Sequence, residues 1–289
     1  MDNINWFPGH MAKGRRLIED KLKVCDLVIE LVDARIPYSS KNPMISKLTK
    51  NKQRILIMTK IDLADSLITK QWQAYYESKG YIVIESNLND FKQMNEIISK
   101  AKLSLKDKIE KERAKGKKER AIRALVIGIP NVGKSTFINK MAKRKATKVA
   151  NKAGVTKALQ WIKIGNDFEL LDSPGLLWPK LDDKEVAINL ALTGAIKSEI
   201  LHKEDLAFYA LRFLNSNYKQ EFYKRYDIDN MDNGDVNSIV RVLDKIGLSR
   251  GCLLRNKEID YDKVYDIILK EIKNNSITRI SFDLDINKE

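Results

Sequence analysis

The segment Gly128-Ile129-Pro130-Asn131-Val132-Gly133-Lys134-Ser135 constrains this chain more than any other. It fits G-x-x-x-x-G-K-[ST], and it lies between a predicted strand, Ala124 to Ile127, and a predicted helix. At ordinary glycine usage a chance match in a chain this long has a likelihood on the order of one in a hundred, and the strand-to-helix context lowers it further. Such a turn lets backbone N–H groups, those of Val132, Gly133 and Thr136 among them, wrap a phosphate chain at a helix N-terminus. Lys134 then reaches the β and γ phosphates and the Ser135 hydroxyl ligates Mg²⁺. The bland alternative is a glycine turn before a helix.

Around this loop the pattern is that of a doubly wound, mostly parallel α/β sheet. Residues 25 to 32, 53 to 58 and 81 to 84 are apolar and β-branched, as buried strands are, and further strands are expected at 159 to 164 and 168 to 171. Ser66 to Lys79 reads as a helix capped by Asp65 or Ser66 and ended by Gly80. Lys100 to Arg120, with ten basic and four acidic residues, reads as a solvated helix fraying into a linker. Beyond Pro179, apolar residues recur at helical spacing: Leu206, Tyr209, Ala210 and Phe213, then Val236, Ile239, Val240 and Leu243, then Tyr261, Val264, Tyr265 and Ile268. The expected organisation is an α/β domain over 1–179, including an N-terminal segment 1–20, and a smaller helical domain over 180–289.

Charge narrows the partners. The net charge is +14, with +17 on residues 1–180 and −3 on residues 181–289, a distribution that draws the N-terminal part toward polyanions. Cys25 and Cys252 fit neither a metal site nor a disulfide framework, and the N-terminus has neither the charged nor the apolar region of a signal peptide. No run of about 18 apolar residues could span a bilayer, so a reduced cytoplasmic setting is expected.

Other loops supply the rest of a nucleotide site. Asp172-Ser173-Pro174-Gly175 ends a strand 37 residues after Ser135, and offers a carboxylate for Mg²⁺ and the Gly175 N–H for a γ phosphate. Between the two lies Thr156, a metal ligand in a mobile switch or an ordinary loop threonine. Thr59-Lys60-Ile61-Asp62 resembles N-K-x-D, in which the aspartate accepts from guanine N1–H and the 2-amino group while the lysine stem covers the base. Threonine here replaces asparagine, so base contact through Asp62 is expected, with weaker binding. Ser86, Asn87 and Leu88 follow the next strand, where a backbone N–H would meet the guanine carbonyl.

The base-reading elements at 59 and 86 precede the phosphate loop at 128, the reverse of Ras-like enzymes, and this order resembles the circularly permuted GTPases. Within them, Trp6-Phe7-Pro8-Gly9-His10-Met11, Asp33-Ala34-Arg35-Ile36-Pro37 and Trp178-Pro179-Lys180 are similar to the bacterial ribosome biogenesis GTPase A family. The resemblance implies GTP and GDP as ligands and a precursor of the large ribosomal subunit with its rRNA as partner. Neither membrane nor DNA is expected as a partner, and the chain is expected to be a monomer off the ribosome. Where Ras-like enzymes place a water-orienting glutamine this chain has Leu176, and the resemblance implies that His10 positions the water, although a histidine that merely packs is the plainer account. Asn131 resembles the asparagine that binds K⁺ beside the phosphates; turn geometry alone also explains it.

Ala121 to Asn166 carries ten basic residues and no acidic one. Lys143, Arg144, Lys145 and Lys148 in this run, with Lys13, Arg15 and Arg16 near the N-terminus, are candidates for RNA phosphate contact, against a simply solvated surface. A GTP-regulated module for a protein partner or an anionic surface is the competing function. An ATPase or kinase is disfavoured by Asp62.

Overall fold

The computed structural model describes residues 9–88, 91–118, 120–145, 160–173, 175, 177–178, 181, 183–197 and 201–288, with positions 9–15, 91–92 and 143–145 described by their backbone alone. A helix α1 (Gly9–Leu22) leads into β1 (Leu27–Asp33), α2 (Pro43–Leu48), β2 (Gln53–Thr59), α3 (Ser66–Ser78), β3 (Ile82–Ser86), α4 (Phe91–Ser104) and α5 (Lys106–Ala114). Then follow β4 (Ile122–Gly128), α6 (Lys134–Lys145), β5 (Gln160–Ile164) and β6 (Phe168–Asp172). Helices α7 (Lys184–Leu192), α8 (Lys203–Asn217), α9 (Lys219–Tyr226), α10 (Val236–Ser249) and α11 (Tyr261–Lys273) complete the chain.

The six strands form one sheet in the order β3-β2-β1-β4-β6-β5, parallel except for the antiparallel β5–β6 pair. Every residue of β1 is buried, as both faces of a parallel sheet are covered by helices. Alternation sorts the side chains. Val32, Leu56, Met58 and Val83 meet α3 through Trp72 and Tyr76, whereas Leu31, Ile55, Ile57 and Ile84 join the larger core containing Ile97, Phe137 and the C-terminal helices. Asp65 settles the start of α3, its Oδ1 accepting from the N–H groups of Leu67 and Ile68 at 2.8 and 3.4 Å.

Two elements differ from the sequence expectation. The stretch from Lys100 is two helices rather than one: Met94, Ile97, Ile98 and Ala101 bury one face of α4, the chain breaks at buried Leu105, and α5 then buries none of its residues. Of the amphipathic stripes, Leu206, Ala210, Ile239, Leu243, Val264 and Ile268 are core, but Val236 and Tyr261 stand exposed at the first positions of α10 and α11.

After α11 the chain returns along the α/β part as an irregular strap. Ile280 N–H donates to Leu63 O at 3.1 Å and Phe282 N–H to Arg35 O at 2.7 Å, while Ser281 Oγ accepts from Asp65 N–H at 3.1 Å. The Asp283 carboxylate accepts from Ser39 N–H at 2.7 Å, Ser39 Oγ–H at 2.6 Å and Asn189 Nδ2 at 3.0 Å, and its own carbonyl accepts from Trp72 Nε1 at 2.7 Å. Residues 179 and 180, where the sequence places the domain boundary, lie outside the described residues.

Burial raises the Asp283 pKa to about 6 against the pull of these donors. The folded value exceeds the unfolded one of about 3.9, so this group makes stability fall as pH rises from about 4 to about 6. Asp283→Asn removes that slope and turns an N–H toward the Ser39 N–H, a mismatch costing about 1–3 kcal/mol. Thermal unfolding at a series of pH values checks both: the variant melts lower than wild type at pH 7, and its deficit is larger at pH 4, because only the wild type is weakened between about pH 4 and 6.

Candidate nucleotide site

The loops singled out in the sequence leave the carboxyl ends of adjacent parallel strands: 59–62 from β2, 86–88 from β3, 128–135 from β4 and 172–175 from β6. Ligands of open α/β sheets bind at this edge. The phosphate loop is closely fitted to its neighbours. Gly133 has φ +107°, and a Cβ there would meet Leu88 Cδ1 at 2.9 Å; a Cβ on Gly175 would meet Pro130 N at 3.0 Å and Lys134 Nζ at 3.1 Å. The 86–88 loop and the 172–175 loop therefore both seat directly on the phosphate loop.

Lys134 opens α6 nearly buried, and its ammonium donates to Ile129 O at 2.7 Å and Gly128 O at 2.9 Å. Burial lowers its pKa to about 8, partly opposed by the Asp172 carboxylate. Ser135 and Thr136 are exposed in the same first turn, and Asp172 ends β6 beside β4. A hydroxyl and a single carboxylate suit Mg²⁺, which keeps waters and takes its remaining oxygens from phosphates. Among the described residues no cluster of three His, Cys, Asp or Glu side chains could hold a metal without them.

The 59–62 loop is tied to the phosphate loop through one hydroxyl. Thr59 Oγ1, fully buried, donates to Val132 O at 2.7 Å, with Val32 O at 3.0 Å as its second acceptor. Lys60 adopts a left-handed φ of +57° and its ammonium pairs with Asp33 at 2.8 Å, so its stem is held across the loop toward β1. Ile61 is half-buried and Asp62 exposed, its carbonyl accepting from Asn275 Nδ2 at 3.5 Å. Ser86 is buried, with Oγ donating to Gln93 Oε1 at 2.7 Å and accepting from Leu88 N–H at 2.9 Å. The Leu88 amide is thus engaged within the loop, and Asn87 stands exposed at its tip.

Comparison with known proteins agrees with this arrangement. A family model described as 50S ribosome-binding GTPase matches residues 123–249. Ribosome biogenesis GTPase A of Priestia megaterium is 49% identical over 281 residues, 97% of this chain and 96% of that protein. The chain belongs to the ribosome biogenesis GTPase A family. A more distant relative, the probable ribosome biogenesis GTPase A of Mycoplasma genitalium, is 32% identical over 98% of this chain and 97% of its own length. The structure of GNP-bound YlqF from T. maritima shares the fold, with a TM-score of 0.63, 23% identity and coverage of 93% of this chain and 97% of that one.

For a member of this family several expected site residues fall beyond description. Thr156, Lys148 and Leu176 lie outside the described residues, and His10, Lys13, Arg15, Lys143, Arg144 and Lys145 are placed by backbone alone, on α1 and α6. Arg16 is exposed on α1. Asn131 has φ +58° and its Nδ2 donates to Gly194 O at 2.9 Å, so the phosphate loop touches the segment after α7.

The segment Asp33-Ala34-Arg35 carries the family resemblance, but the sequence alone assigns the Asp33–Arg35 pair no role. Arg35 Nε and Nη2 donate to the two Asp33 oxygens at 3.0 and 2.8 Å, and its guanidinium also reaches Thr193 O at 3.0 Å and Lys273 O at 3.4 Å. Burial opposes ionisation of Asp33, but Arg35 and Lys60 overcome it and hold the pKa at about 2. An acid at the end of a mostly apolar strand, two residues before an arginine, was the available signal.

The lowered pKa of Lys134 gives a test of the site. Phosphates beside Nζ raise that pKa, so binding above pH 8 takes up a proton and affinity falls as pH rises through 8. Calorimetric titration of GTP at pH 9 in two buffers of different ionisation enthalpy should report uptake approaching one proton, and none with Lys134→Ala.

Proposed function

We propose that this chain is a GTP-hydrolysing switch in late assembly of the large ribosomal subunit, favoured on the particle in its GTP form and released after hydrolysis. The observation that carries the proposal is the bond from Thr59 Oγ1 to Val132 O, which joins a guanine-type loop to a phosphate loop in permuted order. Family membership and the charge on the N-terminal part support the ribosomal partner.

In this mechanism Asp62 accepts from guanine N1–H and the 2-amino group, a pattern adenine cannot offer. The loop amides and Lys134 bind the phosphates. Ser135, Asp172 and Thr156 would hold Mg²⁺, which when bound would neutralise charge on the phosphates. The Gly175 N–H, next to Pro130 and Lys134 Nζ, serves the γ phosphate. Asn131 Oδ1 would take K⁺, adding positive charge beside the phosphates, while its Nδ2 holds Gly194. His10 orients water once α1 is docked on the particle, in place of the glutamine that Leu176 replaces. Residues 1–179 form the nucleotide domain, and 180–289 the domain that moves with the switch, in the cytoplasm.

Asp62→Asn tests the assignment: GTP affinity should fall at least tenfold, about 1.4 kcal/mol, and xanthosine triphosphate should bind better, because an amide donates to the extra carbonyl. Unchanged GTP affinity in competition with a fluorescent nucleotide refutes it. His10→Ala should leave GTP affinity within about twofold while lowering particle-stimulated turnover at least tenfold. Parallel loss of both with a lowered melting temperature would make His10 a packing residue.

A further inference from the structure

The nucleotide loops occupy the carboxyl edge of the sheet; the opposite edge holds a cleft of about 490 Å³. It lies where β1, β4 and β6 begin, between α5 and the segment leading into β4, and Asp26, Lys108, Arg113, Lys117, Lys118 and Arg120 contribute to its lining. Asp26 is the anchor. Its buried carboxylate receives Arg120 Nη1 and Nη2, each at 2.8 Å, Lys108 Nζ at 2.7 Å and the Arg123 N–H at 3.0 Å. Burial alone would raise its pKa, and these donors bring it down to about 2.

The sign of the cleft follows from pairing. Each described carboxylate that lines it already has a cation: Asp26 has two, Glu112 has Lys117 at 3.5 Å, Glu110 has Lys106 at 3.9 Å, and Asp167 has Lys102. Arg113 and Lys118 are exposed and make no ion pair with any described residue. Lys108 and Arg120 keep nearly half of their side-chain surface in solvent while paired. Among the described residues the uncompensated charge is therefore positive. Helix α5 adds a second indication: it buries none of its nine residues. Ile109 alone packs half-buried against the core, so the helix gains little from packing, and it projects a row of cations from a fixed root at Asp26.

We infer that this amino-edge cleft is an RNA-backbone docking surface that works independently of the bound nucleotide. It rests on the reading of the chain as a ribosomal-particle GTPase and adds to it a second contact, separate from the basic run that follows the phosphate loop. RNA is favoured over an anionic membrane because the cations line a concave cleft, and the apolar residues beside them, Leu105 and Ile109, pack into the core instead of forming an exposed face that could enter lipid. Independence follows from distance. The seven residues of β4 separate the cleft from the phosphate loop by about 20 Å, roughly twice the Debye length in physiological salt. Charge at one edge is thus screened from phosphates at the other.

The test uses the full chain carrying Arg113→Glu, Lys117→Glu and Lys118→Glu, all exposed positions whose reversal leaves the core untouched. Binding to a labelled 20-base-pair RNA duplex, and sedimentation with purified large subunits, is measured against salt with GDP and with a non-hydrolysable GTP analogue. The expected result is at least a tenfold loss of RNA affinity, equal in both nucleotide states, with a salt slope shallower by about two to three and GTP affinity within twofold of wild type. A variant that binds RNA and particles like wild type overturns the inference and leaves the proposed function standing. So does a loss confined to one nucleotide state, or a loss of binding to phosphatidylglycerol vesicles with RNA binding intact. Failure of the wild type to bind either RNA or particles would instead remove the ribosomal reading. Arg113→Gln with Lys118→Gln, which adds no negative charge, should show a smaller loss in the same direction, and equal binding by it when the triple variant has unfolded also counts against the surface.

Discussion

One buried carboxylate organises the contacts between the parts of this molecule. Asp33 ends β1 in the middle of the sheet, receives the Lys60 ammonium from the 59–62 loop, and grips Arg35 through two oxygens. Arg35 then caps two helix C-termini at once, donating to Thr193 O after α7 and to Lys273 O at the end of α11. Only a planar, multi-donor cation fills this position; a lysine has one nitrogen for four acceptors. Removing either partner would strand a buried charge, a loss of about 3–5 kcal/mol, and would release the helices together with the loop.

The strap 280–283 gives this coupling a second route. It hydrogen-bonds Arg35 O, Leu63 O and Asp65 N–H, the last two within three residues of Asp62, and its Asp283 reaches Asn189 on α7. The phosphate loop makes the third connection through Asn131 and Gly194. Base loop, phosphate loop and C-terminal helices thus meet through polar contacts that have discrete partners. Such contacts suit a switch, because each is either made or exchanged for water, at a net value of about 0.5–1.5 kcal/mol.

How much of this the sequence disclosed depends on whether burial left a period. The strands of the parallel sheet were legible because they are covered on both faces, which writes a run of β-branched residues. The motif loops were legible because phosphate chemistry fixes glycine and lysine spacing. Helix α7 was not, since Val186 to Leu192 are all buried and no polar face marks its period. Nor was the strap, whose backbone follows no regular repeat. Thr59 carried half of its message: the missing amide was visible, but the hydrogen bond to Val132 O depends on two loops 73 residues apart.

The permuted order also accounts for where the charge can sit. Because β4 lies beside β1 in the sheet, the connector that feeds β4 emerges at the amino edge directly over the start of β1, where Asp26 collects Lys108 and Arg120. In a Ras-like order the phosphate-loop strand comes first and has no such connector before it. The permutation therefore creates, at the edge remote from the nucleotide, a basic segment with a structural root. Selection on that segment is electrostatically separated from the phosphate site by the length of the strand itself, whereas cations near the phosphate loop must share their field with Lys134, whose ammonium is already partly destabilised by burial.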